Sequence, residues 1–351
     1  MIESILKKAV DENASDIFMI PGMPLSMKIN GEIRPVDDQK LSPDELNERI
    51  AEIYKLSGDR DLSLVKKGGD DDFSFSIKGV ARFRASVLKQ RGTLAAIIRV
   101  VRFELPKPEE VGIPDSVLDI SKLKKGLVLV TGSAGSGKTT TLACIIDKIN
   151  HERSAHIITL EDPIEYLHRH DKSVVTQREI GLDTENYVSG LRAALRQAPD
   201  VILLGEMRDY ETIRIALTAA ETGHLVISTL HTVGAANTID RIVDVFPPDA
   251  QQQVRVQLSM VLQAVISQQL LTTTDSTQTP AFEIMYLNNA IRNMIRENKI
   301  HQIDNVIATG IAEGMVSMNN SLLKLYRAGK IDKETCINFS SDTEQMRMRL
   351  G

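Results

Sequence analysis

At 351 residues the chain is too long for one small module and has room for two domains with a sizeable core. Hydrophobic residues make up 42% and charged residues 25%, which argues against a largely disordered chain. A net charge of −5 supplies no bulk field toward nucleic acid, aromatics at 4% without Trp make a poor base-stacking surface, and Cys144 and Cys336 alone cannot build a disulfide framework or a four-cysteine zinc site.

At the N-terminus Ile2, Ile5, Leu6 and Ala9 form one helical stripe, without the apolar core of a signal peptide. Residues 16–20 are expected as a strand, Pro21-Gly22-Met23-Pro24 as a turn, and residues 26–30 as a second, alternating strand. Ser42-Pro43-Asp44-Glu45 reads as a helix start, with Ser42 as N-cap and Glu45 completing a capping box. Further strands are expected at 73–77, 81–88 and 95–101. Residues 1–105 are therefore expected to form a small α+β domain. Residues 106–114 follow as linker, since the run 105–114 holds three prolines and a glycine.

From 115 to 351 the rhythm changes. Short Val/Ile/Leu runs at 126–131, 156–160, 201–204 and 225–230 alternate with helical patterns. Such continuous apolar runs suit strands buried on both faces of a mainly parallel sheet, giving an α/β class for this part. From about 250 onward a mostly helical pattern is expected, with 272–279 as a short polar loop. No apolar run approaches the ~20 residues that a membrane-spanning helix needs. The chain is expected in the cytoplasm, with any membrane role reached through a partner.

Gly132-Ser133-Ala134-Gly135-Ser136-Gly137-Lys138-Thr139 fits the phosphate-loop pattern G-x-x-x-x-G-K-[ST], between an apolar strand and a helical pattern. Glycines let the backbone wrap closely, so the N–H groups of Ser133, Gly135, Ser136, Gly137 and neighbouring residues through Thr140 turn toward phosphate oxygens. The helix N-terminus adds partial positive charge. Lys138 is placed to put a point charge on the β- and γ-phosphates, and the Thr139 hydroxyl to bind Mg²⁺. The expected ligands are ATP and Mg²⁺.

In open parallel sheets ligands lie beyond the C-terminal strand ends. The run 156–160 ends in Glu161-Asp162-Pro163-Ile164-Glu165, Val201–Leu204 in Gly205-Glu206, and Leu225–Leu230 in His231. A nucleotide hydrolase needs a carboxylate near Mg²⁺ and another to orient or deprotonate water, and Glu161, Asp162, Glu165 and Glu206 are the candidates. His224 and His231 bracket one strand, either as caps or as sensors of the γ-phosphate or a neighbouring subunit.

At these residues the sequence resembles the type II/IV secretion ATPase superfamily. Residues 161–165 resemble its acidic box, 204–209 its Walker B segment, and 222–232 its histidine box. Ala14-Ser15-Asp16-Ile17, Gly22-Met23-Pro24, 177–181 and 191–197 resemble the type IV pilus retraction ATPases (PilT family). Residues 290–297, Ala-Ile-Arg-Asn-Met-Ile-Arg-Glu, resemble the motif tied to retraction. Two departures stand out: Phe18 where the family often has His, and a Thr/Ser-rich stretch at 271–280.

The resemblance implies a RecA-like P-loop ATPase domain behind a small PAS-like N-terminal domain, and a homohexameric motor that retracts type IV pili. It implies Glu165 as general base, Glu161 and Glu206 holding Mg²⁺ partly through water, and Arg82, Arg84 and Arg99 as fingers toward the γ-phosphate. The implied partners are other copies of the chain and an inner-membrane pilus platform protein, with membrane contact only through the pilus machinery and no nucleic acid. Pilus-assembly and secretion ATPases are the nearest alternative. They usually carry additional N-terminal sequence and a four-cysteine zinc site, and this chain is expected to have neither. A RecA-type nucleic-acid translocase and a non-hydrolysing adaptor are the others.

Overall fold

Strand pairing in the computed structural model, which describes residues 2–29, 31–58, 60–101 and 105–351, sorts the chain into two sheets. Two compact units are built on them: Met1–Glu104 with Glu165–Leu167, and Leu105–Ile164 with His168–Gly351.

The first unit opens with α1 (Ile2–Asp11), β1 (Asp16–Met19), β2 (Pro24–Ile29) and β3 (Glu32–Lys40). It continues through α2 (Pro43–Leu56), α3 (Ser63–Lys66), β4 (Asp71–Ile77), β5 (Ala81–Gln90) and β6 (Thr93–Val101). The sheet is antiparallel throughout, in the order β3-β2-β1-β6-β5-β4. Its core joins Ile2, Leu6 and Ala9 of α1 and Leu46, Ile50 and Ile53 of α2 to Ile17, Met27, Phe75, Phe83 and Ile98 of the sheet. The capping box at Ser42 forms: Glu45 N–H donates to Ser42 Oγ at 3.2 Å, and Ser42 N–H donates to Glu45 Oε2 at 2.9 Å. Such caps stabilise a helix by ~1 kcal/mol. The strand expected at 26–30 is Pro24–Ile29, and Asn30 lies outside the described residues, as do residues 102–104 at the expected domain end. β3 was not expected. It carries Pro35 and charged residues along an exposed edge, so no apolar alternation marks it.

The second unit begins with α4 (Asp115–Leu118), β7 (Gly126–Thr131), α5 (Lys138–Glu152), β8 (His156–Glu161) and β9 (Val174–Glu179). Then come α6 (Tyr187–Ala194), β10 (Val201–Leu204), α7 (Tyr210–Glu221), β11 (Leu225–Leu230), α8 (Ala235–Asp244) and α9 (Pro248–Val261). It closes with β12 (Leu262–Thr272), β13 (Gln278–Tyr286), α10 (Asn289–Arg296), α11 (Ile303–Thr309), α12 (Met318–Arg327), α13 (Lys333–Asn338) and α14 (Thr343–Leu350). The seven strands run β13-β12-β7-β11-β10-β8-β9, parallel except for β13.

β7, β10 and β11 are buried along their whole length. Alternate residues of β7 serve different cores: Leu127 and Leu129 pack with Ile213 and Leu217 of α7 and Leu258 of α9, while Val128 and Val130 pack with Ile145 and Ile149 of α5. This is the two-faced burial that the continuous apolar runs predict. One expectation fails. Residues 262–286 are two long strands, not helix, and 272–279 is the tip of their hairpin. Among the described residues no helix is long and apolar enough to cross a membrane.

Candidate active site

β7, β11, β10 and β8 are adjacent and parallel, so their C-terminal ends meet at one edge of the second sheet. At the end of β7 the chain enters residues 132–137, and α5 follows from Lys138. Gly132 has φ 144°, and a Cβ there would lie 2.2 Å from the backbone oxygen of Gln268 and 2.7 Å from Ser136 Oγ. At Gly137, with φ 88°, a Cβ would meet Gln268 Nε2 at 2.9 Å. Gly132 has no room for a side chain, and at Gly137 the positive φ and the Gln268 amide disfavour one, so the backbone there can take the curvature that a phosphate cradle requires.

Lys138 lies across this loop. Its Nζ donates to Gly132 O at 2.9 Å and Ser133 O at 2.8 Å. Burial pulls its pKa down, and the charge of Glu206 opposes that shift. The Ser136 hydroxyl is buried without a hydrogen-bond partner, whereas Ser133, Gly135 and Thr139 are exposed and Thr140 is half-buried. An orphaned buried hydroxyl, a buried ammonium and a helix N-terminus around a cradle closed to side chains fit a polyphosphate.

Glu206 follows β10. Its Oε2 lies 2.6 Å from Arg208 Nε and 3.4 Å from His231 Nε2, and its side chain is 12% exposed. Hydrogen bonding to Glu206 raises the Arg208 pKa further. The turn carrying Glu206 is clamped by both neighbouring strands. Gly205 N–H donates to Leu160 O at 2.8 Å, Thr229 Oγ1 donates to Gly205 O at 2.6 Å, and Met207 N–H donates to Thr229 O at 3.2 Å. Glu161, the last residue of β8, is buried, and its Oε1 accepts from Thr159 Oγ1 at 2.6 Å and Gln177 Nε2 at 3.2 Å. Tyr187 completes the group. Burial first, then the charges of Glu206, Asp162 and Glu161, push its phenol well above the usual range, so it remains a neutral O–H.

The structure thus brings Lys138, Glu161, Glu206 and His231 to one edge. Glu165 is grouped instead with Tyr166 and Leu167 in the first unit. Its preceding residue is anchored: Ile164 N–H donates to Glu179 Oε2 at 3.1 Å. His224 stands at the other end of β11, about 20 Å of strand away from its C-terminal edge. There its Nδ1 lies 2.9 Å from Ala219 O and 3.2 Å from Thr222 Oγ1, at the end of α7, so within one chain it does not meet the phosphate loop. Arg82, Arg84 and Arg99 share one face of the first sheet. Arg82 and Arg84 alternate on β5, Arg99 lies opposite Arg84 on β6, and Arg99 Nε donates to Asp16 Oδ1 at 3.2 Å.

For Mg²⁺ the expected set is Thr139, Glu161 and Glu206. Among the described residues no cluster of three or more His, Cys, Asp and Glu could enclose a metal. Sparse protein ligation suits Mg²⁺, which keeps waters and takes phosphate oxygens from its substrate. Tyr187 and Gln268 escape a reading of the sequence, and Thr229 and Glu179 fall within quoted runs without their hydrogen bonds being foreseen, because each meets a partner distant along the chain.

Comparison with known proteins finds likeness along nearly the whole chain. The family model for Type II/IV secretion system proteins matches residues 1–348. The type IV pilus retraction ATPase PilT of Pseudomonas aeruginosa is 43% identical over 95% of this chain and 96% of its own. The type IV pilus ATPase PilU of the same organism is 36% identical over 99% of this chain and 91% of its own. The crystal structure of the pilus retraction motor PilT with bound ADP superposes with a TM-score of 0.89 at 45% identity, covering 99% of each chain.

Proposed function

The chain belongs to the Type II/IV secretion system protein family, and from that premise we propose that it is an ATP-hydrolysing motor that drives retraction of type IV pili. The observation that carries the proposal is the row of groups at one sheet edge: Lys138 on the loop, Glu206 paired with His231, and buried Glu161 beside them. The likeness to the retraction motor over 99% of both chains supports the choice of task.

Mg²⁺ bound with the nucleotide would neutralise charge on the phosphates and position their oxygens. The chain's own groups do the rest. Loop N–H groups and Lys138 would hold the phosphates, and Thr139, Glu161 and Glu206 would hold Mg²⁺. Glu206 is held in place by its neighbours, since Gly205 is hydrogen-bonded to Thr229 and Leu160, and Met207 to Thr229. Glu165 takes the proton of the attacking water, and Glu179 fixes the backbone just ahead of it. Arg82, Arg84 and Arg99 supply positive charge at the γ-phosphate, His231 reports nucleotide state, and His224, at the far end of β11, serves as the sensor toward a neighbouring copy of the chain. We assign residues 1–105 as the small domain, 106–114 as the hinge and 115–351 as the motor domain. Copies of the chain form a hexameric ring on the cytoplasmic face of the inner membrane, held there by the pilus platform protein.

Two buried cysteines, Cys144 and Cys336, cannot supply the four-cysteine zinc site usual in assembly and secretion ATPases. The test is deletion of the gene with imaging of pili. Excess surface pili without twitching are expected, and loss of pili would point to assembly instead.

A further inference from the structure

Gln268 is polar, sits in the middle of β12 and is only 3% exposed. Pairing of β12 with β7 ends at Ser267 opposite Thr131, so Gln268 is the first residue level with the phosphate loop. Its backbone oxygen lies where a Cβ on Gly132 would be, and its Nε2 lies 2.9 Å from where a Cβ on Gly137 would be. Its Oε1 accepts from Thr141 Oγ1 at 2.7 Å, in the first turn of α5. One residue therefore lies against both ends of the loop, its backbone oxygen toward Gly132 and its side chain toward Gly137, and hydrogen-bonds the helix behind it.

Lys138 hydrogen-bonds the Gly132 and Ser133 carbonyls from inside the loop, but those bonds do not tie the loop to the sheet. Gly132, Gly135 and Gly137 all have positive φ, and a Cβ on Gly135 would meet nothing within 4 Å. Glycines supply the curvature and also leave the backbone free to choose other conformations. A loop that must be ordered at the moment of binding loses affinity for that cost. Gln268 removes the choice by pinning the loop against a sheet strand.

The neighbours of Gln268 extend the bracing. Ser267 Oγ accepts from Gly234 N–H at 2.9 Å, just beyond His231, and Gln269 Nε2 donates to Phe339 O at 3.1 Å in the C-terminal helical part. Opposite Ser267, buried Glu283 accepts from Ala235 N–H at 2.8 Å and Met318 N–H at 3.4 Å, joining the N-termini of α8 and α12. Three successive residues of β12 thus reach the segment after His231, the phosphate loop and the C-terminal helices.

We propose that Gln268 is a positioning residue for nucleotide binding, and that its hydrogen bond with Thr141 holds the phosphate loop ready for the substrate. Like the ATPase assignment, this role needs nucleotide at the loop. Steady-state kinetics with ATP and titration with ADP, on the full chain, test it in Thr141→Val, Thr141→Ser, Gln268→Met and the double variant Thr141→Val/Gln268→Met. Loss of one buried hydrogen bond should raise KM for ATP and Kd for ADP about tenfold in Thr141→Val and Gln268→Met, with kcat little changed. Thr141→Ser keeps the hydroxyl and should keep wild-type KM. The double variant should be no worse than the worse single one, because both remove the same bond. Unchanged KM in folded Thr141→Val, a lowered Tm without any change in KM, or additive effects in the double variant would overturn the proposal. A wild type that binds no nucleotide would overturn the ATPase assignment and this role together, whereas a binding wild type with unaffected variants overturns only the role of Gln268.

Discussion

In the first unit β5 turns Ala81, Phe83, Ala85 and Val87 inward and Arg82, Arg84 and Ser86 outward, whereas in the second unit β7 and β11 are buried from end to end. The difference follows from what covers each sheet. An antiparallel sheet packed on one face keeps a second face for charge, and its strands spread Arg82, Arg84 and Arg99 across that face. A parallel sheet covered on both faces has no such surface. Its chemistry is pushed to the strand ends, where residues far apart in sequence, such as Lys138, Glu161, Glu206 and His231, arrive together.

The largest effect is expected at the parallel edge. Lys138→Ala should weaken nucleotide binding about 100-fold, as measured by titration with ADP, since a buried charged donor to phosphate is lost. Unchanged affinity would remove the loop from the site. Next, Gly132→Ala should lower stability by at least ~1–3 kcal/mol, because the new methyl has backbone only 2.2 Å away at a positive φ. Thermal unfolding reads this out, and a wild-type Tm would contradict the crowded cradle.

The third concerns pH. Burial pushes the His168 imidazole from 6.5 down to about 4, with the charge of His151 adding to the effect. Between those values the unfolded chain binds the proton that the folded chain refuses, so stability is lost as pH falls from 6.5 toward 4. His168→Gln should reduce that acid lability, and equal Tm profiles for the two proteins would contradict it. The smallest effect on stability is expected on the antiparallel face. Arg84 stands opposite Arg99, so Arg84→Ala should change stability by less than ~1 kcal/mol in denaturant unfolding. Its ATP turnover should nevertheless fall, and normal turnover would count against the finger role.

Legibility in the sequence follows the same contrast. Strands buried on both faces are contiguous apolar strings, and the candidate site residues at their ends follow directly: Gly132 to Thr139 after β7, Glu161 at the end of β8, Glu206 after β10 and His231 after β11. What escaped was marked by no local signal. α9 passes into β12 between Val261 and Leu262 without Gly or Pro, so the helical pattern reads on into a strand. Ser267 and Gln268 interrupt the apolar run there because they are buried as hydrogen-bonding groups. β3 is exposed along nearly its whole length and carries no alternation. His224 and His231 look equivalent in sequence because both flank one strand, but only the His231 end of β11 faces the loop within one chain. Tyr187 needed the fold to bring it over Gly205, where a Cβ would lie 2.7 Å from its hydroxyl.

In the proposed reaction Glu165 is the base that activates water for ATP hydrolysis. Single-turnover hydrolysis by Glu165→Gln, with nucleotide affinity measured on the same protein, tests it most directly. Wild-type affinity with hydrolysis slowed at least ~100-fold is predicted. Wild-type affinity with near-normal hydrolysis would contradict it.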